Sequence, residues 1–181
     1  MHRTSAFLAA TTCVSIAHAQ VHYDVGVLAS AQQRFLVDAP KQVLAEGGGL
    51  TIDGHVAVFP LLRIGGWVTG EASKVLDDGD VRGIFSGGLR VKIISPWPRG
   101  VWRFWIGTGF GYDGLVTKDA GGGFFEVPAI VGASHRIRKP WVFLMELQTR
   151  VGFGFWGSYY DGRAGTDTVS IALAFGIGVD G

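Results

Sequence analysis

Cysteine, net charge and long apolar runs are all scarce in this sequence of 181 residues. The single cysteine, Cys13, lies near the start, so a chain cleaved after residue 19 would have no disulfide and no thiol chemistry. The 16 basic residues are matched by 15 acidic ones, which excludes the basic footprint of a nucleic-acid-binding protein. After residue 19 no segment approaches the ~18 consecutive apolar residues of a membrane helix. If the chain enters a membrane, it must therefore do so as strands.

The first 19 residues have the order of a secretory signal peptide. A basic start at His2 and Arg3 is followed by an uncharged, largely apolar run and by the small-x-small site Ala17-His18-Ala19. The apolar run is far shorter than the ~20 residues of a membrane helix. We therefore predict a cleaved signal peptide, Met1–Ala19, and one exported domain, Gln20–Gly181.

Cys13 offers an alternative, because lipid-attachment cysteines of lipoproteins also lie in this region of a chain. The residues before it, Ala10-Thr11-Thr12, lack the large aliphatic residue expected three places before such a cysteine. A better cleavage site also follows it. The pattern therefore favours a signal peptide over lipid attachment.

Glycine is abundant, with 29 residues in the chain against a usual content of about 7%. Aromatic and β-branched residues are also plentiful and no three-residue repeat is present, which argues against a disordered or collagen-like chain. Glycine inside strands marks close backbone approach or strong curvature. A tightly wound barrel needs both.

Alternation of bulky apolar residues with small or polar ones predicts eight β-strands, each near or above the ~9 to 11 residues that a tilted strand needs to cross a bilayer. They are expected at about 20–30, 47–58, 61–71, 82–94, 101–112, 123–136, 141–154 and 167–178. In the last strand Ile171 and Leu173 alternate with Ser170 and Ala172. One face is dominated by Gly, Ala and Ser with a few charges and suits a cramped interior, whereas the bulky face suits lipid.

The connections between these strands are of two kinds. Those at about 59–60, 95–100 and 136–140 are short and contain proline. The others are longer and rich in Asp, Gly and Lys, at about 31–46, 72–81, 113–122 and 155–166. Short periplasmic turns and longer outside loops are typical of outer-membrane barrels, and an even strand number places both termini on the periplasmic side.

With these segments, residues 20–181 resemble the small eight-stranded outer-membrane barrels typified by the OmpA transmembrane domain and OmpX. The predicted fold class is all-β, an eight-stranded antiparallel up-and-down transmembrane β-barrel. The resemblance implies a location in a Gram-negative outer membrane. Such barrels commonly end on an aromatic residue, whereas here Phe175 is followed by six further residues.

The partners expected for such a barrel are outer-membrane lipids and lipopolysaccharide, and the barrel-assembly machinery during biogenesis. We expect no nucleic-acid partner and no cofactor. A monomer is the expected state.

We expect a network of charges inside the barrel, because a charge taken out of water must be paired. Pairing around the turns places Glu126 opposite Arg150, and Lys92 opposite Arg103, with Glu146 reaching across the lumen to this second pair. The predicted network comprises Arg63, Arg90, Lys92, Arg103, Glu126, Glu146 and Arg150. It is either a gated ion path or a solid plug. The plug is favoured because an eight-stranded interior is only wide enough for side chains to fill.

Aromatic residues are concentrated where the two membrane interfaces are expected. Trp102 and Trp141 open strands at the short-turn end, and five residues lie near the long-loop end, namely Tyr112, Phe155, Trp156, Tyr159 and Tyr160. Two aromatic girdles would follow. The alternative is that these rings are ordinary core residues.

No catalytic or metal site is predicted. Outer-membrane lipid deacylases carry His and Ser two residues apart, whereas Ser134 and His135 are adjacent and would point to opposite faces of a strand. His55 and Asp53 share the polar face without a serine nucleophile beside them. Asp77-Asp78-Gly79-Asp80 lacks the longer ligand pattern of a calcium loop.

The leading hypothesis is a non-enzymatic barrel with a structural, envelope-stabilising or surface-interaction role. Three alternatives remain open: a soluble secreted ligand-binding barrel resembling lipocalins, a narrow outer-membrane channel, and a lipid-modifying outer-membrane enzyme. The first would require the bulky face to line an internal cavity. The direction of that face is therefore the deciding feature.

Overall fold

The computed structural model describes residues 22–37, 43–75, 81–96, 101–116, 121–157 and 167–181. It contains eight strands: β1 (Tyr23–Leu36), β2 (Val43–Ala57), β3 (Leu62–Val75), β4 (Val81–Ile94), β5 (Trp102–Val116), β6 (Gly121–Arg138), β7 (Trp141–Gly157) and β8 (Thr168–Asp180). Each strand pairs with the next, and β8 pairs antiparallel with β1 to close the barrel. The predicted eight-stranded all-β fold is confirmed. The predicted signal peptide and Cys13 lie outside the described residues.

The strands are longer than predicted at the long-connection end. β1 continues to Leu36 and β7 to Gly157, whereas the alternation of apolar residues predicts ends at about 30 and 154. In β1 the extra residues include two polar neighbours on opposite faces, Gln33 exposed and Gln32 buried, whereas in β7 they are Phe155, Trp156 and Gly157. At β1 the barrel wall therefore continues beyond its apolar part, where an apolar pattern cannot reveal it. In the described segments no helix is long and apolar enough to cross a membrane.

The bulky apolar side chains point away from the barrel interior. Leu173 is 48% exposed, Phe175 46% and Phe104 57%, although all three are hydrophobic. Between them along the strands lie buried residues such as Ala172 and Ala174. The predicted arrangement of apolar side chains outside and polar ones inside is confirmed. A lipocalin-like barrel, whose bulky face lines a cavity, is excluded by this direction.

The interior also holds large rings that the small-residue pattern did not reveal. Trp67, Trp105 and Phe124 are all buried inside the barrel. Glycines make room for them: a Cβ at Gly111 would lie 2.6 Å from the Trp67 ring, and one at Gly132 would lie 2.2 Å from the Trp105 ring. The glycine content therefore serves the packing of two indoles as well as the curvature of the sheet.

The short-turn end of the barrel has tight connections between β2 and β3 and between β6 and β7. β2 and β3 are joined by a tight turn in which Val58 N donates to Leu62 O at 3.0 Å, and β6 and β7 are joined by Lys139 and Pro140 alone. Both ends of the described chain lie at this short-turn end, where Tyr23 N donates to Gly181 O at 3.2 Å.

Candidate functional site

Charged side chains fill the barrel interior in three clusters stacked along its axis. The lower cluster, at the short-turn end, contains Asp24, His55, Arg63, Arg103 and Asp180. The middle cluster contains Asp53, Arg90, Lys92, Glu146 and Gln148. The upper cluster contains Gln32, Arg34, Glu71, Asp113, Glu126 and Arg150. Strand parity positions them, because alternate residues of each strand face inward.

The lower cluster joins the first and last strands to β3 and β5. Arg63 bridges two carboxylates, with Nη1 2.7 Å from Asp24 Oδ2 and Nη2 3.2 Å from Asp180 Oδ1. Arg103 Nη1 lies 2.9 Å from the other oxygen of Asp180. His55 Nδ1 lies 2.9 Å from Asp24 Oδ1. Each carboxylate is thus contacted by two side chains, across the seam where β8 meets β1.

The middle cluster is an alternating square of two cations and two anions. Asp53 Oδ2 lies 2.7 Å from Lys92 Nζ and 3.2 Å from Arg90 Nη1. On the other side of the lumen Glu146 lies 3.4 Å from Lys92 Nζ and 3.5 Å from Arg90 Nη1. All four side chains are buried. Their charges cancel, which is the condition under which charged groups are retained in a low-dielectric interior.

Two indoles complete the middle cluster. The Arg90 guanidinium carbon lies 5.0 Å from the Trp67 ring centroid, and Lys92 Nζ lies 5.3 Å from that of Trp105. These are cation–π distances. The rings therefore fill the space beside the cations and contribute favourable electrostatics as well as volume.

The upper cluster has longer ion-pair distances than the other two. Arg34 lies 3.6 Å from Asp113, and Arg150 lies 3.7 Å from Glu126 and 4.0 Å from Glu71. Gln32 donates to Glu71, and the Arg34 guanidinium lies over the Phe124 ring. Arg150 also donates twice to Gln148 Oε1, at 3.1 and 2.8 Å. This double hydrogen bond links the upper and middle clusters into one network.

All seven charged residues named from the sequence point into the lumen, but two predicted registers were wrong. Arg150 lies opposite Pro128, not Glu126, because the β6–β7 turn consists of two residues and a bulge follows in β6. Lys92 lies opposite Gly107, not Arg103. The β4–β5 pairing ends at Ile94 and Trp105, so Arg103 lies beyond it, toward the short-turn end.

Six carboxylate and cationic partners were missing from the predicted network: Asp24, Arg34, Asp53, Glu71, Asp113 and Asp180. Asp53 was recognised on the polar face by its spacing from Thr51 and His55, and the same parity would have identified Glu71 and Asp113. Asp180 shares the inward parity of Gly176 and Gly178 but lies beyond the predicted end of the last strand, and its pairing with Arg63 depends on the distant closure of β8 on β1. Local alternation carries no signal for that pairing.

The three clusters leave little open space in the middle of the barrel. A cavity of about 30 Å³ lies between the lower and middle clusters, lined by Asp24, Asp53, Lys92, Arg103 and Trp105 among others. In the described part of the chain the paired charges and the inward rings contact one another across the lumen, an arrangement that favours the predicted plug over an ion path.

Solved structures share this architecture. The chain is similar to Neisserial surface protein A, with a TM-score of 0.59 and 13% identity over 87% of this chain and 96% of that chain. It is also similar to the outer membrane protein OprG from Pseudomonas aeruginosa, with a TM-score of 0.56 and 10% identity over 89% and 96%. The fold is that of a small outer-membrane β-barrel.

A third outer-membrane barrel with this fold is Ail, the attachment invasion locus protein of Yersinia pestis, solved in complex with the heparin analogue sucrose octasulfate. Its TM-score is 0.52, with 9% identity over 89% of this chain and 99% of that chain. No family model and no curated protein sequence matches the chain. At these low identities the similarity shows the outer-membrane barrel fold alone.

The outer face of the barrel carries the described members of the predicted aromatic girdles. Trp102 and Trp141 are exposed at the short-turn end, and Tyr112 is exposed in the upper part of β5. Tyr112 packs edge-on against Phe125, with ring centroids 5.6 Å apart. The side chains of Phe155 and Trp156, and all of Tyr159 and Tyr160, lie outside what the structure describes.

The adjacent Ser134 and His135 are on opposite sides of the barrel wall. Ser134 is 4% exposed and faces the lumen, whereas His135 packs on the outside against Trp102, with ring centroids 4.6 Å apart. They cannot act as a nucleophile and its base, which must lie within hydrogen-bond reach of each other. Among the described residues no group of three or more His, Cys, Asp or Glu is arranged to hold a metal ion. The segment 77–80 lies outside the described residues.

Proposed function

We propose that this chain is an integral outer-membrane protein whose closed barrel has a structural, envelope-stabilising or surface-interaction role and no catalytic activity. The observation that carries the proposal is the contrast between the two faces of the wall. The outer face is a continuous belt of apolar side chains, and the inner face is a network of paired charges.

The outer belt supports a membrane location. Every strand contributes exposed large hydrophobic residues, among them Leu50, Val68, Leu89 and Ile106. Soluble monomers rarely expose contiguous apolar patches larger than a few hundred Å². In a bilayer the same belt would contact acyl chains, as the apolar band of outer-membrane barrels does. The fold shared with Neisserial surface protein A and OprG supports the same location.

The filled lumen supports a closed barrel. Ion passage would require the middle cluster to separate, which would leave Arg90, Lys92, Asp53 and Glu146 buried without their partners. Breaking such a pair is strongly unfavourable, because each remaining charge keeps its desolvation penalty. A narrow channel is therefore the weaker candidate, and conductance decides between the two.

A surface-interaction role would be carried by the long connections, whose central residues lie outside the described segments. Ail was solved with a sulfated heparin analogue, a ligand that requires a cationic surface. The long connections of this chain include Asp77, Asp78 and Asp80 together in one loop. Their composition favours a partner other than a polyanion.

The proposal is tested first by membrane fractionation of cells that express the full chain. We expect the protein in the outer-membrane fraction, resistant to extraction without detergent. Folded and boiled samples should migrate differently on a detergent gel, because a closed barrel resists unfolding by the detergent until it is heated. Release by osmotic shock in soluble form would contradict the membrane location.

The closed lumen is tested by reconstituting the same protein into planar bilayers, with a porin as the positive control. We expect no single-channel conductance for this chain. Reproducible unitary currents would contradict the plug and establish the channel alternative.

The absence of lipid-modifying activity is tested by chemical analysis of lipid A from cells that overexpress the chain. Unchanged lipid A is the expected result.

A further inference from the structure

An apolar groove runs along the outer wall where β7, β8, β1 and β2 lie side by side. Its volume is about 680 Å³. Trp141, Phe143 and Phe175 line one part of it, and Val27 and Leu50 line another. The Phe143 and Phe175 rings stack, with centroids 6.3 Å apart. A bare stretch of backbone thus lies between bulky side chains on the outer belt.

Glycines form the floor of this groove. Gly26, Gly176 and Gly178 line it, and their strands are close enough to exclude larger residues. A Cβ at Gly176 would lie 1.9 Å from Val27 O, and one at Gly178 would lie 2.6 Å from Val25 O. The missing side chains of these glycines face the barrel interior, so the glycines allow β8 and β1 to approach closely at the seam that underlies the groove.

Cations are clustered at the lower end of the groove. Trp141, which lines the groove, lies opposite Arg138 across the two-residue turn that contains Lys139. Arg138 and Lys139 are both exposed, and within the described part of the chain neither has a carboxylate partner. An apolar groove next to a turn with two solvent-facing cations matches the two parts of an acidic lipid.

Resting on the proposed membrane location, we propose that the groove and the β6–β7 turn form a binding site for an anionic glycerophospholipid of the periplasmic leaflet. One acyl chain lies in the groove, and the headgroup phosphate contacts Arg138 and Lys139. From Val25 to Ala29 the groove follows four residues of β1, roughly 14 Å at ~3.4 Å per residue. Because the strands of such barrels are tilted by about 35–45°, this length covers roughly 10 Å of the ~25 Å apolar band, which lies within one leaflet.

A second copy of the chain is a less suitable occupant. Two copies that packed through this groove about a two-fold axis would present the same surface to each other. Arg138 and Lys139 of both copies would then lie near the axis, and like charges oppose such a contact. A phosphate supplies the opposite charge instead.

The test compares lipids bound to the detergent-purified full chain by native mass spectrometry. Phosphatidylglycerol and phosphatidylcholine with identical acyl chains are offered separately, so that only the headgroup charge differs. We expect one retained phosphatidylglycerol per barrel and little phosphatidylcholine. The double variant Arg138→Gln/Lys139→Gln should weaken phosphatidylglycerol binding on the order of tenfold, because each surface cation contributes to attraction of anionic lipid.

Two further variants separate the parts of the site. Ala29→Phe places a ring in the upper groove and should lower phosphatidylglycerol retention while both cations remain. Lys74→Gln removes an exposed cation at the opposite end of the barrel and should leave retention unchanged. Heat-modifiable migration of each variant confirms that the barrel is folded.

Several results would overturn the lipid site. Equal retention of both lipids, or unchanged retention in the double variant, would show that the cations do not select a headgroup. A dimer abolished by Ala29→Phe would assign the groove to a second copy. Fractionation distinguishes failure of the proposed membrane location from failure of the lipid site. A chain that is soluble without detergent would contradict the membrane location, whichever lipid it retains in detergent.

Discussion

The inner and outer faces of the barrel are built from alternate residues of the same strands, yet they obey opposite rules. Ile52 is 53% exposed on the outer face, whereas its neighbour Asp53 is 2% exposed and contacts two cations. One step along the chain thus changes the surroundings from an apolar belt to a charged interior. The effect of a substitution therefore depends first on whether the residue faces outward or inward, and only then on the residue type.

The two faces also differ in how specific their contacts are. On the outer face the solvent is expected to be fluid acyl chains, so one apolar residue can replace another. On the inner face each carboxylate of the middle cluster contacts both cations. Removal of one member leaves charges that no mobile solvent can compensate. Stability should therefore be most sensitive to the interior.

The largest effect is expected from Asp53→Asn. This variant keeps the shape of the side chain but leaves Arg90 and Lys92 with Glu146 alone. A broken buried ion pair destabilises a protein by about 3 to 5 kcal/mol. Denaturant titration of the barrel refolded into lipid vesicles measures the change in unfolding free energy.

A double variant provides the control for this prediction. Asp53→Asn combined with Lys92→Met removes one uncompensated cation, so it should recover part of the lost stability. A loss below about 0.5 kcal/mol for Asp53→Asn, typical of an indifferent surface change, would show that the middle cluster is not the electrostatic centre of the plug.

A smaller effect, with a marked dependence on depth, is expected on the outer face. Leu173→Arg places a charge on the outer belt midway along β8, and such changes cost about 2 to 4 kcal/mol at the bilayer midplane. Val179→Arg, on the same face near the short-turn end, should cost about 0 to 1 kcal/mol. The same titration in vesicles compares them. Equal losses at both positions would contradict a lipid-facing belt, because water has no such depth dependence.

The sequence predicts the number of strands and their parity because period-two alternation is a local property, whereas closure of the barrel was implied by the resemblance to small outer-membrane barrels. Within each strand the bulky apolar residues lie on one face and the small or polar residues on the other, as Leu173 and Ala172 do in β8. The same alternation failed above the apolar part of the wall, since Gln32 and Gln33 give no contrast between the faces.

The partners inside the lumen could be predicted only in part, because they depend on register. Parity places Arg103 and Lys92 on the inner face, but the turn before β5 decides which residues meet. The two-residue turn and the bulge between Arg136 and Arg138 together place Arg150 opposite Pro128, two residues from its expected partner. The pairing of Arg63 with Asp180 spans most of the chain and exists only because the barrel closes.

The smallest effect is expected for His135, which lies outside the wall opposite Trp102 in β5. His135→Ala should destabilise the barrel by about 0.5 to 1 kcal/mol, the range of a cross-strand aromatic pair. A double-mutant cycle with Trp102→Ala isolates this coupling, since Trp102→Ala alone should already remove it. The variant also sharpens the contrast between the faces, because it measures how much a ring contact on the outer surface stabilises the wall. If His135→Ala abolished a lipid-modifying activity while leaving stability unchanged, the outer face at this position would be catalytic, and the assignment of Ser134 and His135 to separate environments would have to be abandoned.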